Sequence, residues 1–173
     1  MRDQVFRDLM AAVCAPVTVV TSADEAGPHG ATVSAFASLS LRPPLVTVAL
    51  DRRSALLASI LGTRRLGVNV LGAGDDEVAL RFARSAGAGR FAGVAWTLAD
   101  GLPRLGCAAA WAACELNRVV DGGDHLLLIG LVVYAESRPA APLVYGHRTF
   151  GTHSRFADGP RRPIQDAIAA CAR

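Results

Sequence analysis

The feature that most restricts the fold is a pair of long extended runs in the second half of the chain. Residues 108–123 have the sequence AAAWAACELNRVVDGG, and residues 124–139 have the sequence DHLLLIGLVVYAESRP. Both runs are rich in apolar and β-branched residues, and Gly and Asp residues separate them, which is typical of a β-hairpin. We therefore expect two long antiparallel strands joined by a turn at residues 121–124.

The rest of the chain consists mainly of shorter strand-like segments joined by turns. Strands are predicted at 15–24, 28–36, 43–51, 65–72 and 142–150, with a strand and a turn within 93–105. Helices are predicted at 3–13, at 54–63 with Ser54 as N-cap, at 75–85, and after a polar turn within 157–173. This succession favours a mainly β barrel of Greek-key type with a few inserted helices, because closing a sheet removes its exposed edges. A doubly wound α/β fold is disfavoured, because strands and helices do not alternate regularly in the C-terminal half.

Length and composition indicate a single domain over residues 1–173. The hydrophobic fraction is 51% and the charged fraction 19%, which allows a buried core and argues against disorder. The longest apolar runs are too short to span a bilayer. The first helix is amphipathic, contains Asp3 and Asp8, and lacks the cationic start of a signal peptide. We therefore expect a cytoplasmic protein that does not enter a membrane.

Cysteine content and charge agree with that expectation. The four cysteines form no C-x-x-C pair, so we expect buried free thiols in a reducing compartment: Cys14, Cys107, Cys114 and Cys171. The net charge is +3, and the 18 basic residues are all Arg and are scattered along the chain. This charge suits a small anionic ligand and gives weak support for nucleic acid binding.

One segment resembles a dinucleotide-binding fingerprint but lacks its essential features. VNVLGAGDDEVALRF places Gly72 and Gly74 between a strand and a helix, but Glu77 occupies the third glycine position. Asp75 and Asp76 lie at the helix start, where a pyrophosphate would be repelled. The segment is better interpreted as a turn with an Asp cap.

Neither a metal site nor a nucleophilic triad can be assembled from the sequence. The four histidines are His29, His125, His147 and His153, and none has the spacing of a zinc-binding motif. No G-x-S-x-G motif is present, and the two Trp and six Phe residues are better explained as core than as a nucleic acid stacking surface.

Small hydroxyl residues are concentrated in the segment GATVSAFASLSLRPPLVTVAL, residues 30–50. Thr32 and Ser34 are two residues apart, as are Ser38 and Ser40, so each pair shares a face where the chain is extended. Hydroxyls and exposed backbone N–H groups can bind phosphate oxygens or a flat heterocycle without adding bulk. Ser and Thr are also common in β proteins, so from the residues alone a structural role stays open.

The order of several blocks resembles the short-chain flavin reductases, a family with an FMN-binding split barrel. The resemblance covers roughly residues 5–150, and its most specific block is GATVSAFASLSLRPPLVTVAL. Other blocks occur in the family's order: APVTVVTS, DRRSALLASI, LGVNVL, LRFAR, RFAGVAW, LPRLGCAAAWAACEL, GGDHLLLIGLV and PLVYGHRTF. Pro16 departs from the pattern, since a glycine is usual there.

The resemblance implies a cofactor site and assigns residues to it. Thr32, Val33 and Ser34 would border the isoalloxazine, and Ser38, Leu39 and Ser40 would bind the ribityl phosphate. Further cofactor contacts would come from Arg52, Arg53, Ser54 and the segment around Phe82, and from Tyr145 and Arg148 on the nicotinamide side. His125 would be the catalytic residue, placed where the nicotinamide docks, and no metal is expected.

The resemblance also implies an activity and partners. The chain would transfer hydride from NADH or NADPH to FMN or FAD as a homodimer, and would supply reduced flavin to a monooxygenase. Two alternatives remain: a non-catalytic flavin-binding electron carrier, and an oxidase resembling pyridoxamine phosphate oxidases. The second alternative is disfavoured because such oxidases use more Lys and Arg for the substrate phosphate. The preferred flavin, the preferred nicotinamide cofactor and the partner oxygenase stay open.

Overall fold

A computed structural model describes residues 3–85 and 87–153 of the chain. The helix predicted within 157–173 and Cys171 lie outside these residues. The described helices are α1 (Asp3–Ala11), α2 (Ala55–Thr63) and α3 (Asp76–Arg84), followed by a 3₁₀ turn at Gly87–Arg90. None of these helices is long and apolar enough to cross a membrane.

Twelve strands are present in the described part of the chain, and seven of them form one sheet. The strands are β1 (Ala15–Pro16), β2 (Thr18–Asp24), β3 (Gly27–Val33), β4 (Phe36–Leu41), β5 (Pro44–Asp51), β6 (Arg65–Val70), β7 (Trp96–Ala99), β8 (Leu102–Leu105), β9 (Ala110–Gly122), β10 (His125–Ser137), β11 (Val144–Gly146) and β12 (Thr149–Gly151). The main sheet has the order β3-β2-β6-β9-β10-β5-β4, and neighbouring strands in it are antiparallel. The prediction of a mainly β fold with a few inserted helices is confirmed.

The predicted long hairpin is present as β9 and β10, but its turn begins one residue later than expected. His125 pairs with Gly122, so Gly123 and Asp124 are the two central turn residues. Gly123 has φ 75°, which a two-residue type II′ turn requires at its first central position and which glycine adopts without strain. The turn is fixed by Arg52, whose Nε donates to the Gly123 carbonyl at 2.8 Å.

The strand predicted at 142–150 is wrong, since this segment forms a hairpin of two short strands. His147 and Arg148 both have positive φ, 49° and 61°, and they separate β11 from β12. Such a pair of left-handed residues closes a tight hairpin, and Asn or Gly is normally favoured there. The turn could not be predicted from residue types because the two positions are occupied by His and Arg, and it places the His147 backbone and the Arg148 side chain against α1.

The core consists of apolar side chains packed under the sheet and under α2 and α3. One cluster joins α2 to the sheet, and a second joins α3 to β2 and to the loop before β11. Gly30 in β3 allows the Phe82 ring of α3 to approach, because a Cβ at this position would lie 2.7 Å from the ring carbon Cε1. Arg90 also bonds the Gly30 carbonyl. Both contacts hold α3 and the following turn against β3.

The cysteine prediction is correct in part. Cys14, Cys107 and Cys114 are free, but Cys14 is exposed, so it is not the buried thiol that was expected. Burial raises the pKa of the Cys114 thiol to about 12, which makes it inert as a nucleophile. Among the described residues, no group of three or more His, Cys, Asp or Glu side chains could hold a metal ion.

The predicted N-cap of α2 is present, and its contribution can be measured. Ser54 has extended backbone angles, and its hydroxyl accepts a hydrogen bond from the Leu57 N–H at 3.5 Å. Ser54→Ala should therefore lower the free energy of unfolding by about 1 kcal/mol in denaturant titrations, because that N–H loses its partner. Ser54→Gly is the control and should cost only a few tenths of that value. Equal losses in the two variants would contradict a capping role.

Candidate functional site

Two adjoining cavities open on one side of the described fold, beside α1 and the β11–β12 hairpin. The outer cavity, of about 820 Å³, lies between α1 and the segment that follows β3. The inner cavity, of about 450 Å³, lies between α3, the end of β3 and the β11–β12 hairpin. Both are lined by Ser34, Tyr145 and Arg148. Three of the residues predicted to bind the cofactor are therefore brought together in one wall.

The inner cavity owes its shape to the packing of α3 against β3. Thr32 lines this cavity, but its hydroxyl donates to the Ala79 carbonyl of α3 at 2.6 Å. Val33 is buried in the core, so only its backbone can contact a ligand. Ser34 follows the end of β3 in a bend and is exposed. Of the three residues predicted to border the isoalloxazine, only Ser34 has an exposed side chain that makes no hydrogen bond among the described residues.

Phe82 is fully buried, and its ring packs edge-on against Phe91 with ring centroids 4.9 Å apart. A direct contact between this ring and a cofactor does not fit that position. Its neighbours Ala83 and Arg84 line the inner cavity instead. The family block LRFAR thus marks the right helix, but the α3 side chains that line the cavity are those of Leu80, Ala83 and Arg84.

The segment predicted to bind phosphate lies on β4, at the edge of the main sheet. Ser38 pairs with Val46 and Ser40 with Leu45, so Leu39 is the extra residue of a β-bulge. The bulge alters the strict alternation on which the predicted shared face of Ser38 and Ser40 rested. In the described chain, neither hydroxyl makes a hydrogen bond, and Leu39 is 51% exposed. Both hydroxyls are free to bind a ligand.

The two arginines after β5 are already bound to carboxylates. Arg52 forms an ion pair with Asp121, and Arg53 forms one with Asp51 at 2.9 Å. The Arg53 hydrogen bonds hold the pKa of the Asp51 carboxyl well below its usual range. A phosphate near Arg52 or Arg53 would therefore have to share these cations with the carboxylates.

His125 lies at the β9–β10 turn, away from the residues that line either cavity. Its Nδ1 is 2.8 Å from the Asp124 carboxylate, and this hydrogen bond lowers the pKa of Asp124. His125 pairs with Asp51 of β5, and Ser38 pairs with Val46 of the same strand. His125 and Ser38 are therefore about 17 Å apart along β5 at the normal rise per residue. Nε2 makes no hydrogen bond among the described residues; because Nδ1 donates its proton to the Asp124 carboxylate, Nε2 of the neutral ring can accept a hydrogen bond from a ligand.

The contribution of α1 to the site was not predicted from the sequence. Phe6 and Met10 of this helix line the outer cavity, although both are about half exposed. The helix is attached by two contacts: the His147 N–H donates to the Ala11 carbonyl, and Arg148 forms an ion pair with Asp8. An amphipathic pattern shows that a helix has an apolar face, but it does not show what that face covers.

The cavity walls are positively charged. Arg7, Arg84 and Arg148 are the charged residues among the described residues that line the two cavities, and no carboxylate lines either one. Together with the free hydroxyl of Ser34, this is a set of donors suited to phosphate and heterocycle oxygens, whereas Ser38 and Ser40 on β4 line neither cavity. The residues present therefore fit a phosphorylated aromatic cofactor.

The fold and the cleft define a protein of the split-barrel type with a site for an anionic cofactor. The sequence profile of the flavin reductase like domain matches residues 10–154. The chain therefore belongs to the flavin reductase like family. This confirms the resemblance that the sequence shows to the family and the split-barrel fold expected from it.

Relatives agree with that assignment. A Rhizobium meliloti protein named "Probable flavin reductase" is 38% identical over 85% of this chain, which covers 48% of that protein. The reductase component of a 4-nitrophenol monooxygenase from Rhodococcus opacus is 36% identical over 92% of this chain and 86% of its own length. This chain thus spans about half of the first relative and most of the second.

Solved structures are similar over nearly the whole fold. The nitrilotriacetate monooxygenase component B homologue from Mycobacterium thermoresistibile superimposes with a TM-score of 0.85 at 30% identity, covering 94% of this chain and 93% of its own. The NADH:FAD oxidoreductase of Streptomyces globisporus has a TM-score of 0.82 at 30% identity, and the match covers 86% of this chain and 92% of that one.

Proposed function

We propose that this chain is a reductase that oxidises NADH or NADPH and reduces FMN or FAD. The observation that carries the proposal is the cleft, in which Ser34, Tyr145 and Arg148 meet beside two cavities lined by arginines and by no carboxylate among the described residues. Such a site binds a phosphorylated heterocycle by hydrogen bonding, stacking and charge. It needs no metal and no acid–base pair, because the cofactors themselves supply the reaction.

We assign the following roles to the residues of the site. Ser38 and Ser40 donate hydrogen bonds to the flavin phosphate, and Ser34 with the Val33 backbone contacts the ring edge. Tyr145 and Arg148 orient the nicotinamide cofactor at the shared wall, and His125 holds its reacting end through Nε2. When both cofactors are bound, the reduced nicotinamide supplies a hydride to the flavin. The protein contributes orientation and a site with little water, which bring the reactants into contact.

One assay tests the proposal directly. Steady-state oxidation of NADH and NADPH should be followed at 340 nm with FMN, FAD and riboflavin as acceptors. We expect turnover that depends on added or bound flavin, with a preference for one nicotinamide. Flavin binding without turnover would instead favour an electron carrier. Turnover of a phosphorylated amine with oxygen, and none of NADH or NADPH, would favour an oxidase of the pyridoxamine phosphate type.

The physiological acceptor of the reduced flavin is proposed to be a monooxygenase. Support comes from relatives and neighbours described as monooxygenase reductase components, including the Rhodococcus opacus protein and a styrene monooxygenase reductase from Pseudomonas putida. A large exposed flavin cleft suits release of the product, since micromolar affinity needs only about −8 kcal/mol. The described residues and the terminal segment are proposed to act as one domain over 1–173.

We also expect a homodimer. Large apolar side chains are exposed on β4 and β10 of a single chain: Leu39, Leu41, Val133 and Tyr134 are 51%, 81%, 46% and 52% exposed. Such an area would be covered in a stable assembly. Light scattering should give about twice the 18.0 kDa chain mass. Leu41→Glu should shift the protein towards monomer, while Leu98→Glu, on the separate β7–β8 hairpin, is the control. A wild-type monomer at micromolar concentration that reduces flavin would contradict the dimer.

A further inference from the structure

Arg84 is an unassigned cation at the inner cavity. It lies in the last turn of α3, lines the cavity beside Thr32 and Arg148, and is exposed. It forms no hydrogen bond or ion pair among the described residues, whereas Arg148, the other arginine that lines this cavity, forms an ion pair with Asp8. Two guanidinium groups that line one cavity repel each other, and an anion bound between them offsets this repulsion.

The second cation at this cavity, Arg148, is held by an internal anion. Its guanidinium forms an ion pair with Asp8 of α1, and this contact lowers the pKa of the Asp8 carboxyl. Asp8 does not line the inner cavity, so the carboxylate binds Arg148 from the side of the helix. A carboxylate on a guanidinium occupies the donors that a phosphate would use.

We propose that Arg84 and Arg148 together bind a phosphate group of a nucleotide cofactor in the inner cavity, and that Asp8 competes with this phosphate for Arg148. The proposal rests on the proposed reductase function and gives a role to Arg84, which the family resemblance assigned only as part of the segment around Phe82. It concerns either the diphosphate of a dinucleotide or the phosphate of the flavin, and the second source would replace the assignment of the flavin phosphate to Ser38 and Ser40 of β4. The chemistry of recognition is the same for both sources, since each presents charged oxygens to two guanidinium groups.

The sources can be separated with two matched pairs of ligands. FMN and riboflavin differ by one phosphate, and ADP and adenosine differ by a diphosphate. Dissociation constants are measured by fluorescence for the flavins and by calorimetry for the adenosine compounds, with the wild-type protein and with Arg84→Ala, Arg84→Lys and Asp8→Asn. Arg118→Ala removes one exposed, unpaired positive charge from β9 and is the control for net charge.

Arg84→Ala should weaken the phosphorylated member of one pair about fivefold, as expected for the loss of a charge-assisted contact, and leave its unphosphorylated partner unchanged. A loss of affinity for FMN identifies the flavin phosphate as the group that Arg84 binds. A loss of affinity for ADP identifies the diphosphate of a dinucleotide. Arg84→Lys should retain part of the affinity. Asp8→Asn should tighten the same ligand about threefold, a gain that a poorly folded variant cannot produce.

Equal affinities of Arg84→Ala and wild type for all four ligands would overturn the site, as would weaker phosphate binding by Asp8→Asn. The result is separate from the test of the reductase. If the wild-type protein oxidises NADH and the Arg84→Ala variant binds all four ligands with wild-type affinity, only the proposed Arg84 site is overturned. Phosphate binding that depends on Arg84, in a protein that oxidises neither NADH nor NADPH, overturns the reductase and retains the site.

Discussion

Replacing Ser38 and Ser40 together by alanine should weaken FMN or FAD binding at least tenfold, or about 1.4 kcal/mol. Both hydroxyls lie on the edge strand β4 and have no hydrogen-bond partner among the described residues, so the folded protein loses no internal contact when they are removed. Two hydrogen bonds to a charged phosphate account for at least this loss. Flavin fluorescence titration gives the affinity directly.

The structure supplies a control and a sharper form of this test. Ser137→Ala removes an exposed hydroxyl from the far end of β10 and should leave flavin binding unchanged. Riboflavin, which lacks the phosphate, should bind the double variant as it binds wild type. If the folded double variant keeps the wild-type affinity for FMN and FAD, the assignment of the phosphate to β4 is wrong.

His125→Ala should slow flavin reduction or raise the KM for the nicotinamide cofactor roughly tenfold or more, a cost of about 1.4 kcal/mol. The Asp124 carboxylate holds Nδ1 of His125, so Nε2 points away from that bond and is available to a ligand. Because His125 lines neither cavity of a single chain, its role requires that the β9–β10 turn of the second copy in the proposed homodimer lies beside the flavin ring. Stopped-flow reduction of pre-bound flavin separates the rate of reduction from nicotinamide saturation.

A second histidine provides a matched control for this substitution. His29 is also bonded to an aspartate, with Nε2 3.0 Å from the Asp24 carboxylate. It lies in β3, which is the edge strand of the main sheet on the side away from β10 and β4. His29→Ala should leave both kinetic parameters near the wild-type values. Flavin affinity should change little in His125→Ala, because the phosphate is bound elsewhere. If His125→Ala keeps the wild-type rate of flavin reduction and the wild-type saturation by the nicotinamide cofactor, His125 has only a structural role in the turn.

Much of the architecture could be predicted because local patterns are decisive where one face of an element is buried. The strand at 43–51, the helix with Ser54 as N-cap and the hairpin of β9 and β10 all occur close to the predicted residues. Each carries its own signal, such as a run of β-branched residues, a capping hydroxyl or a glycine turn. The hairpin at residues 142–150 was missed because His147 and Arg148 adopt left-handed conformations that their residue types do not favour.

The candidate site was predictable only as a set of segments. The sequence identified Ser34, Tyr145 and Arg148 one at a time, through separate blocks of the family pattern, and the fold brings them to one wall between two cavities. Phe82 was assigned to the cofactor because its segment matched, but packing turned its ring into the core. A motif specifies which backbone lies near a ligand, whereas the direction of each side chain depends on contacts with distant residues.

The sequence by itself determined the family, the mainly β architecture and the segments from which the site is built. These follow from periodicity, turn chemistry and the order of the blocks, all of which are local or additive along the chain. Only the tertiary structure decided which donors are free. Arg53 is neutralised by Asp51, Arg148 is held by Asp8, and Arg84 has no partner among the described residues. Ion pairing depends on distances of a few ångströms between residues as far apart as 8 and 148, and those distances arise only when the sheet and its helices are packed together.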